Sequence, residues 1–172
     1  MWRSANAKSV FCAAALLGGC STRAAEPVVS RTPRFDPIAF FSGRTQGDGR
    51  LKILLKAEQQ VRVQGQGRVE PDGTLVLEQV VRRGTRRVER REWRMREIGP
   101  DRYRGTLSDA IGTVDVETYG SLLTIRYAMK GGLRVEQSLY LDATARSALN
   151  RMKISKLGVP VARLEETIRK LD

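Results

Sequence analysis

The sequence predicts a mainly-β protein, an antiparallel meander of about eight or nine strands closed into a barrel, with a short helix before it. Alternation is the first observation. Leu51, Ile53 and Leu55, Val61 and Val63, Leu75 and Leu77, then Leu123, Ile125, Tyr127 and Met129, and Leu133, Val135, Leu139 and Leu141 keep a period of two with charge between them. That period gives each strand one apolar and one wet face. Punctuation is the second: Pro71-Asp72-Gly73, Arg83-Gly84, Gly99-Pro100-Asp101, Gly120 and Gly131-Gly132 join successive strands as tight hairpins. Closure into a barrel then removes the exposed edges of such a sheet. A barrel of about eight strands encloses either packed side chains or one small ligand.

The first segment reads differently. Arg3 and Lys8 form a basic region, Val10 to Leu17 an apolar stretch too short to span a bilayer, and Leu16-Leu17-Gly18-Gly19-Cys20 has the form of a bacterial lipobox. Residues 1–19 are therefore read as a lipoprotein signal peptide cleaved before Cys20. The cysteine is expected to carry a diacylglycerol on its thiol and a further chain such as palmitate on its amine, which together anchor stably to a membrane. That places the protein in a bacterial cell envelope, facing the periplasm. Ser21, where many inner-membrane lipoproteins carry aspartate, favours the outer membrane. Residues 20–34 mix Ser, Thr, Ala, Pro and charge without periodicity and read as the lipidated terminus and a flexible tether. Residues 35–172 are left as a single β-barrel domain.

The barrel domain opens on Phe35-Asp36-Pro37-Ile38-Ala39-Phe40-Phe41-Ser42-Gly43, where Asp36 suits an N-cap, Pro37 the first helical position and Gly43 the C-terminal stop. Phe40 and Phe41 on that short helix are expected to plug the strands after it or pack against them. Gly65 and Gly67 share one strand face and permit a bend or a close approach. The last segment is ambiguous: Val161, Leu164, Ile168 and Leu171 recur at helical spacing, which favours a helix, and Gly158-Val159-Pro160 breaks the chain before it. Helix or strand stays open there.

Composition excludes more than it assigns. No histidine occurs, and of the two cysteines Cys12 leaves with the signal peptide while Cys20 is lipidated. Ser-His and Cys-His catalysis, His-ligated zinc and disulfides are thereby removed, so no catalytic residue, metal or cofactor is assigned. The formal charge of +12 becomes +10 without Arg3 and Lys8, a balance that attracts polyanions. Beside a bilayer the expected polyanion is the anionic lipid headgroup rather than nucleic acid.

Arg86 to Arg96 is the densest basic run. Alternation puts Arg86, Arg90, Arg94 and Arg96 on the outer side, and Glu89, Arg91, Trp93 and Met95 on the inner. A buried guanidinium needs a partner, which for Arg91 is Glu89, another interior acid or an acidic ligand group. Tyr103, Gly105, Leu107 and Asp109 share the inner face of the next strand, so Asp109 is a candidate to meet Arg91. The candidate interior ligand-binding residues are therefore Arg91, Trp93, Tyr103, Asp109 and Glu89. Gln137 lies on an apolar face and Asn150 shares one with Met152 and Ile154, so each is set to hydrogen-bond inside. Catalysis would fall to Asp109, Glu89 or Tyr103, and their spacing specifies no known reaction.

Several segments in order, Phe40-Phe41-Ser42-Gly43, Arg91-Glu92-Trp93, Tyr103-Arg104-Gly105-Thr106, Asp109-Ala110-Ile111-Gly112, Leu149-Asn150-Arg151 and Lys156-Leu157-Gly158-Val159, together with the lipobox, give a sequence that resembles the uncharacterised bacterial lipoproteins of domain-of-unknown-function family 3833. The resemblance implies a lipocalin-like β-barrel on a lipid anchor, with no established activity. Two features depart from it: Glu136-Gln137-Ser138-Leu139-Tyr140 stands where many members carry tryptophan and acids, and members often end in a strand. The leading expectation is a barrel that binds or carries a fatty acid, a lipid or another apolar or acidic amphiphile. The alternatives are a partner-binding envelope lipoprotein with a packed core and a barrel-based enzyme acting on lipid.

Overall fold

A computed structural model describes residues 27–172. The segment read as a signal peptide, Cys20 and the first residues of the expected tether lie outside the described residues. Helix α1 (Pro37–Phe41) forms where the capping signals put it: the Asp36 carboxylate accepts from the Ala39 amide at 3.0 Å and Pro37 takes the first turn. After it come ten strands, β1 (Gly43–Ile53), β2 (Gln59–Val69), β3 (Leu75–Arg83), β4 (Glu89–Gly99), β5 (Arg102–Leu107), β6 (Ala110–Tyr119), β7 (Leu122–Met129), β8 (Leu133–Leu141), β9 (Ser147–Lys156) and β10 (Val159–Lys170). Each pairs antiparallel with the next, and β1 with β10, so the meander closes into a barrel.

The barrel therefore has ten strands rather than eight or nine, and the C-terminal segment is the difference. Val159–Lys170 is a strand, not the helix its spacing favours. Ala162, Leu164, Glu166 and Ile168 point inward while Arg163, Glu165 and Arg169 face water. The helical spacing of Val161, Leu164 and Ile168 is outweighed by tertiary demand: β1 and β9 each present an edge, and only an extended segment satisfies both rows of backbone groups.

The hairpins divide the barrel into two ends. Toward one end lie the connections 70–74, 100–101, 120–121 and 142–146, and this end is plugged. Phe35, Phe40 and Phe41 are buried there, with successive ring centroids 5.1 and 4.9 Å apart. Gly67 makes the plug possible, because a Cβ on it would lie 1.9 Å from the Phe41 carbonyl oxygen. Lys170 closes α1 by donating from Nζ to the carbonyls of Ala39 at 3.1 Å and of Ser42. The segment read as tether is held to this end from Ser30 onward. Ser30 N donates to Ser121 Oγ at 2.9 Å, Ser121 N donates to Ser30 O at 2.8 Å, and Arg34 pairs with Asp101.

At the other end lie the connections 54–58, 84–88, 108–109, 130–132 and 157–158, with no helix across them among the described residues. The interior itself splits. A large apolar cluster under the plug includes Leu75, Leu77, Trp93, Met95, Leu123 and Ile168; a smaller one at the open end comprises Leu51, Val61, Val63, Val81, Ala162 and Leu164. At their boundary, where Met152 and Ile154 pack against both, lies a set of polar side chains.

A polar layer inside the barrel as candidate binding site

Strand register builds the layer from two arcs. Asn150 on β9 stands directly opposite Glu166 on β10, and its Nδ2 donates to Glu166 Oε2 at 3.1 Å and to Gln137 Oε1 at 3.2 Å. Gln137 on β8 in turn donates from Nε2 to the Tyr127 hydroxyl on β7 at 3.2 Å. On the far side Gln79 of β3 pairs with Arg91 of β4, and Gln79 Oε1 accepts from both Arg91 Nε and Trp93 Nε1 at 2.9 Å. The arcs meet where the Trp93 and Tyr127 rings cross edge-to-face at 5.7 Å, and the Arg91 guanidinium lies 5.9 Å from the Trp93 ring centroid.

Glu166 is the least expected member, only 5% exposed. Two glycines on the neighbouring strand make its place: a Cβ on Gly47 would fall 2.0 Å from Glu166 Oε1, and one on Gly49 would fall 2.7 Å from Glu166 Cβ. Burial pushes the Glu166 carboxyl above its ordinary range, opposed by the Asn150 hydrogen bond and by the charge of Arg91. Burial likewise raises the Tyr127 hydroxyl, with Arg91 pulling it back. Glu166 Oε1 and Asn150 Oδ1 are buried without a hydrogen-bond partner among the described residues, a state that costs free energy unless something supplies one.

Two cavities adjoin the layer. One of about 50 Å³ lies on the plug side among Leu77, Trp93, Met95, Ile125 and Leu139. The other, about 110 Å³, opens toward the mouth among Val61, Val81, Met129, Met152 and Leu164, and Arg91 and Glu166 border both. A larger concavity of about 600 Å³ crosses the outer wall over β1–β4, lined by Gln46, Gln64, Gln66 and Arg90. It is open to solvent along its length, so the smaller interior spaces bury a ligand better.

The five candidate residues end up at three depths. Arg91 and Trp93 lie in the layer, as alternation places them. Glu89 and Asp109 border the mouth cavity with Arg91 but are exposed; Glu89 pairs with Arg83, and no ion pair joins Arg91 to Asp109 among the described residues. Tyr103 is buried near the plug, among the charges of Asp36, Glu97 and Asp101, and borders neither cavity. Gln137 and Asn150 hydrogen-bond inside as expected. Glu166, Gln79 and Tyr127 are site residues that the sequence patterns do not single out. For Glu166 the signal is an acid in the period-two series of Ala162, Leu164 and Ile168, visible only once the segment is read as a strand.

Comparison with known proteins adds family and fold. The family model described as "Protein of unknown function (DUF3833)" matches residues 14–170. The chain belongs to the DUF3833 family. Among solved structures, this DUF3833 barrel is similar to an S-type phycobiliprotein lyase from Guillardia theta, with a TM-score of 0.62 at 8% identity over 78% of this chain and 90% of that one. It is also similar to a protein of unknown function from the DUF3598 family of Nostoc punctiforme, with a TM-score of 0.57 at 12% identity over 81% of this chain and 50% of that one. At such identities the likeness is one of fold. No curated protein matches the sequence. Within the described residues of this DUF3833 protein no helix is long and apolar enough to cross a membrane, and no group of three or more acids, cysteines or histidines is placed to hold a metal ion.

Proposed function

We propose that the protein is a lipid-anchored envelope lipoprotein whose barrel binds an amphiphile with a carboxylic head, such as a fatty acid. The head lies at the polar layer and the chain runs toward the mouth. One observation carries this reading: a polar layer with half-buried Arg91 and buried Glu166 lies at the boundary of two apolar clusters and borders both cavities. A carboxylate there accepts from the Arg91 guanidinium, and burial, by pushing the Glu166 carboxyl above its ordinary range, lessens the repulsion that acid would otherwise offer. The similar fold of a phycobiliprotein lyase is compatible with binding.

Size limits the ligand. Cavities of about 50 and 110 Å³ fall below the roughly 300 Å³ of ordinary small-molecule sites, so only the head and a short stretch of chain fit as the side chains stand. A longer tail leaves by the mouth, past Met129 and Met152, whose unbranched side chains rearrange readily. The same small volume favours the second reading, a partner-binding lipoprotein with a packed core.

The two separate on one experiment. The full chain carrying Cys20→Ser is purified without its acyl groups, extracted and analysed by mass spectrometry, then titrated with a fluorescent fatty acid. Ligand binding gives a co-purifying acid or saturable binding, and Arg91→Gln weakens the affinity about tenfold to a hundredfold, the worth of a charge-assisted hydrogen bond. Neither a co-purifying acid nor saturable binding leaves the packed-core reading.

A further inference from the structure

We infer that the open rim of the barrel is a docking surface for an anionic lipid bilayer. This concerns the outside of the barrel and stands whether or not the lumen holds a ligand. The β1–β2 and β9–β10 hairpins are neighbours because β1 pairs with β10, and they are tied at the rim by a hydrogen bond from Leu54 N to Val161 O of 2.9 Å. Their tips carry Leu54, Leu55, Leu157 and Val159, which are 57, 96, 93 and 59% exposed. Four adjacent aliphatic side chains project from the end of the barrel into solvent.

The backbone makes this arrangement notable. Leu55 has φ 61° and Leu157 φ 49°, left-handed conformations that glycine or asparagine adopts more easily. Tight turns supply polar residues by default, because a loop tip meets water. Leucine at two such tips is poorly suited to water and to the backbone, and well suited to the acyl boundary of a membrane.

Charge says which surface is met. The connections at the mouth carry Lys56, Arg86, Arg87 and Lys130 against Glu58 and Asp109. Those at the plugged end carry Arg146 against Glu70, Asp72, Asp101 and Asp142. Around the mouth the leucine hairpins are flanked by the 84–88 connection with Arg86 and Arg87 on one side and the 130–132 connection with Lys130 on the other, and Lys156 adjoins Leu157. Asp109 lies on the connection across the mouth from them. Apolar tips flanked by cations match a surface of phosphate headgroups over hydrocarbon, whereas the connections at the plugged end carry more acids than cations, with Asp101 paired to Arg34 and Glu70 to Arg94.

The test uses the full chain with Cys20→Ser, so that no acyl anchor contributes, and co-sedimentation with vesicles of phosphatidylglycerol mixed into phosphatidylcholine. Binding is expected, with a marked loss on vesicles of phosphatidylcholine alone. Leu55→Asn and Leu157→Asn suit the left-handed backbone and leave the melting temperature in place. Burying one leucine is worth about tenfold or more in an equilibrium constant, so together they reduce partition by at least about tenfold. Tyr119→Asn, an exposed aromatic change in the β6–β7 hairpin at the plugged end, leaves binding as it was. No binding to the anionic vesicles, wild-type binding by the leucine variants, or an equal loss from Tyr119→Asn overturns the inference.

Discussion

The two ends of the barrel are made by the same ten strands, yet they solve opposite problems. At the plugged end α1 brings Phe40 and Phe41 over the strands, Gly67 lets the backbone approach, and the chain from Ser30 to Phe35 is fastened across the β6–β7 hairpin. At the mouth, large apolar side chains stand in water and the interior behind them holds a cavity of about 110 Å³. The difference shows that closing the sheet satisfies the backbone at both ends and buries the inward side chains along the wall, but covers the rim only where another element lies across it. The buried phenylalanines gather at the plug; the proposed recognition falls to the mouth and to the layer between.

The largest expected effect tests the plug. Phe41→Ala removes a buried ring from the seal and is expected to cost about 3–5 kcal/mol in chemical denaturation. A loss under about 1 kcal/mol would make α1 a dispensable lid. Next comes the layer. Gly47→Ala drives a methyl into the place of Glu166 Oε1 and is expected to cost about 1–3 kcal/mol. In a Glu166→Ala background the same change should cost little, because the clash is gone; additive losses would show that Gly47 serves another contact.

A smaller effect arises from the Glu166 carboxyl. Its folded pKa is raised above the ordinary 4.5, so the folded state holds its proton more tightly than the unfolded one. Stability from this group is therefore present below that ordinary value and lost as pH rises through the higher folded value. Glu166→Gln should remove that part of the decline, so the variant gains on the wild type in denaturation midpoint as pH rises. Parallel curves would mean that folding does not shift the Glu166 carboxyl. The smallest effect is at the mouth, where Leu55→Ala should change stability by no more than about 0.5 kcal/mol despite deleting a side chain as apolar as those in the core.

Much of the architecture was legible in the residues because it rests on short-range rules. The period of two and the turn residues announce the hairpins, Asp36 and Pro37 announce α1, and Gly65 and Gly67 announce the close approach that Gly67 provides to Phe41. The inward set of Arg91 and Trp93 came from the same period, and the inward hydrogen bonds of Gln137 and Asn150 from their place on apolar faces. Depth was not legible. Tyr103, Arg91 and Asp109 share an inward face by alternation, but lie near the plug, at the layer and at the mouth, because alternation reports a face and not a height along the barrel axis.

By itself, then, the sequence determined the hairpin strands before Val159, the turns, the plug helix and the inward set of Arg91, Trp93, Gln137 and Asn150, since each depends on neighbours a few residues away. Only the tertiary structure decided that Val159–Lys170 extends instead of coiling, because the edges of β1 and β9 that demand it are brought to it by closure of the sheet. The same pairing set Glu166 against Asn150, over the gap left by Gly47 and Gly49. A buried acid between two apolar clusters is a property of closure, and no segment read alone contains it.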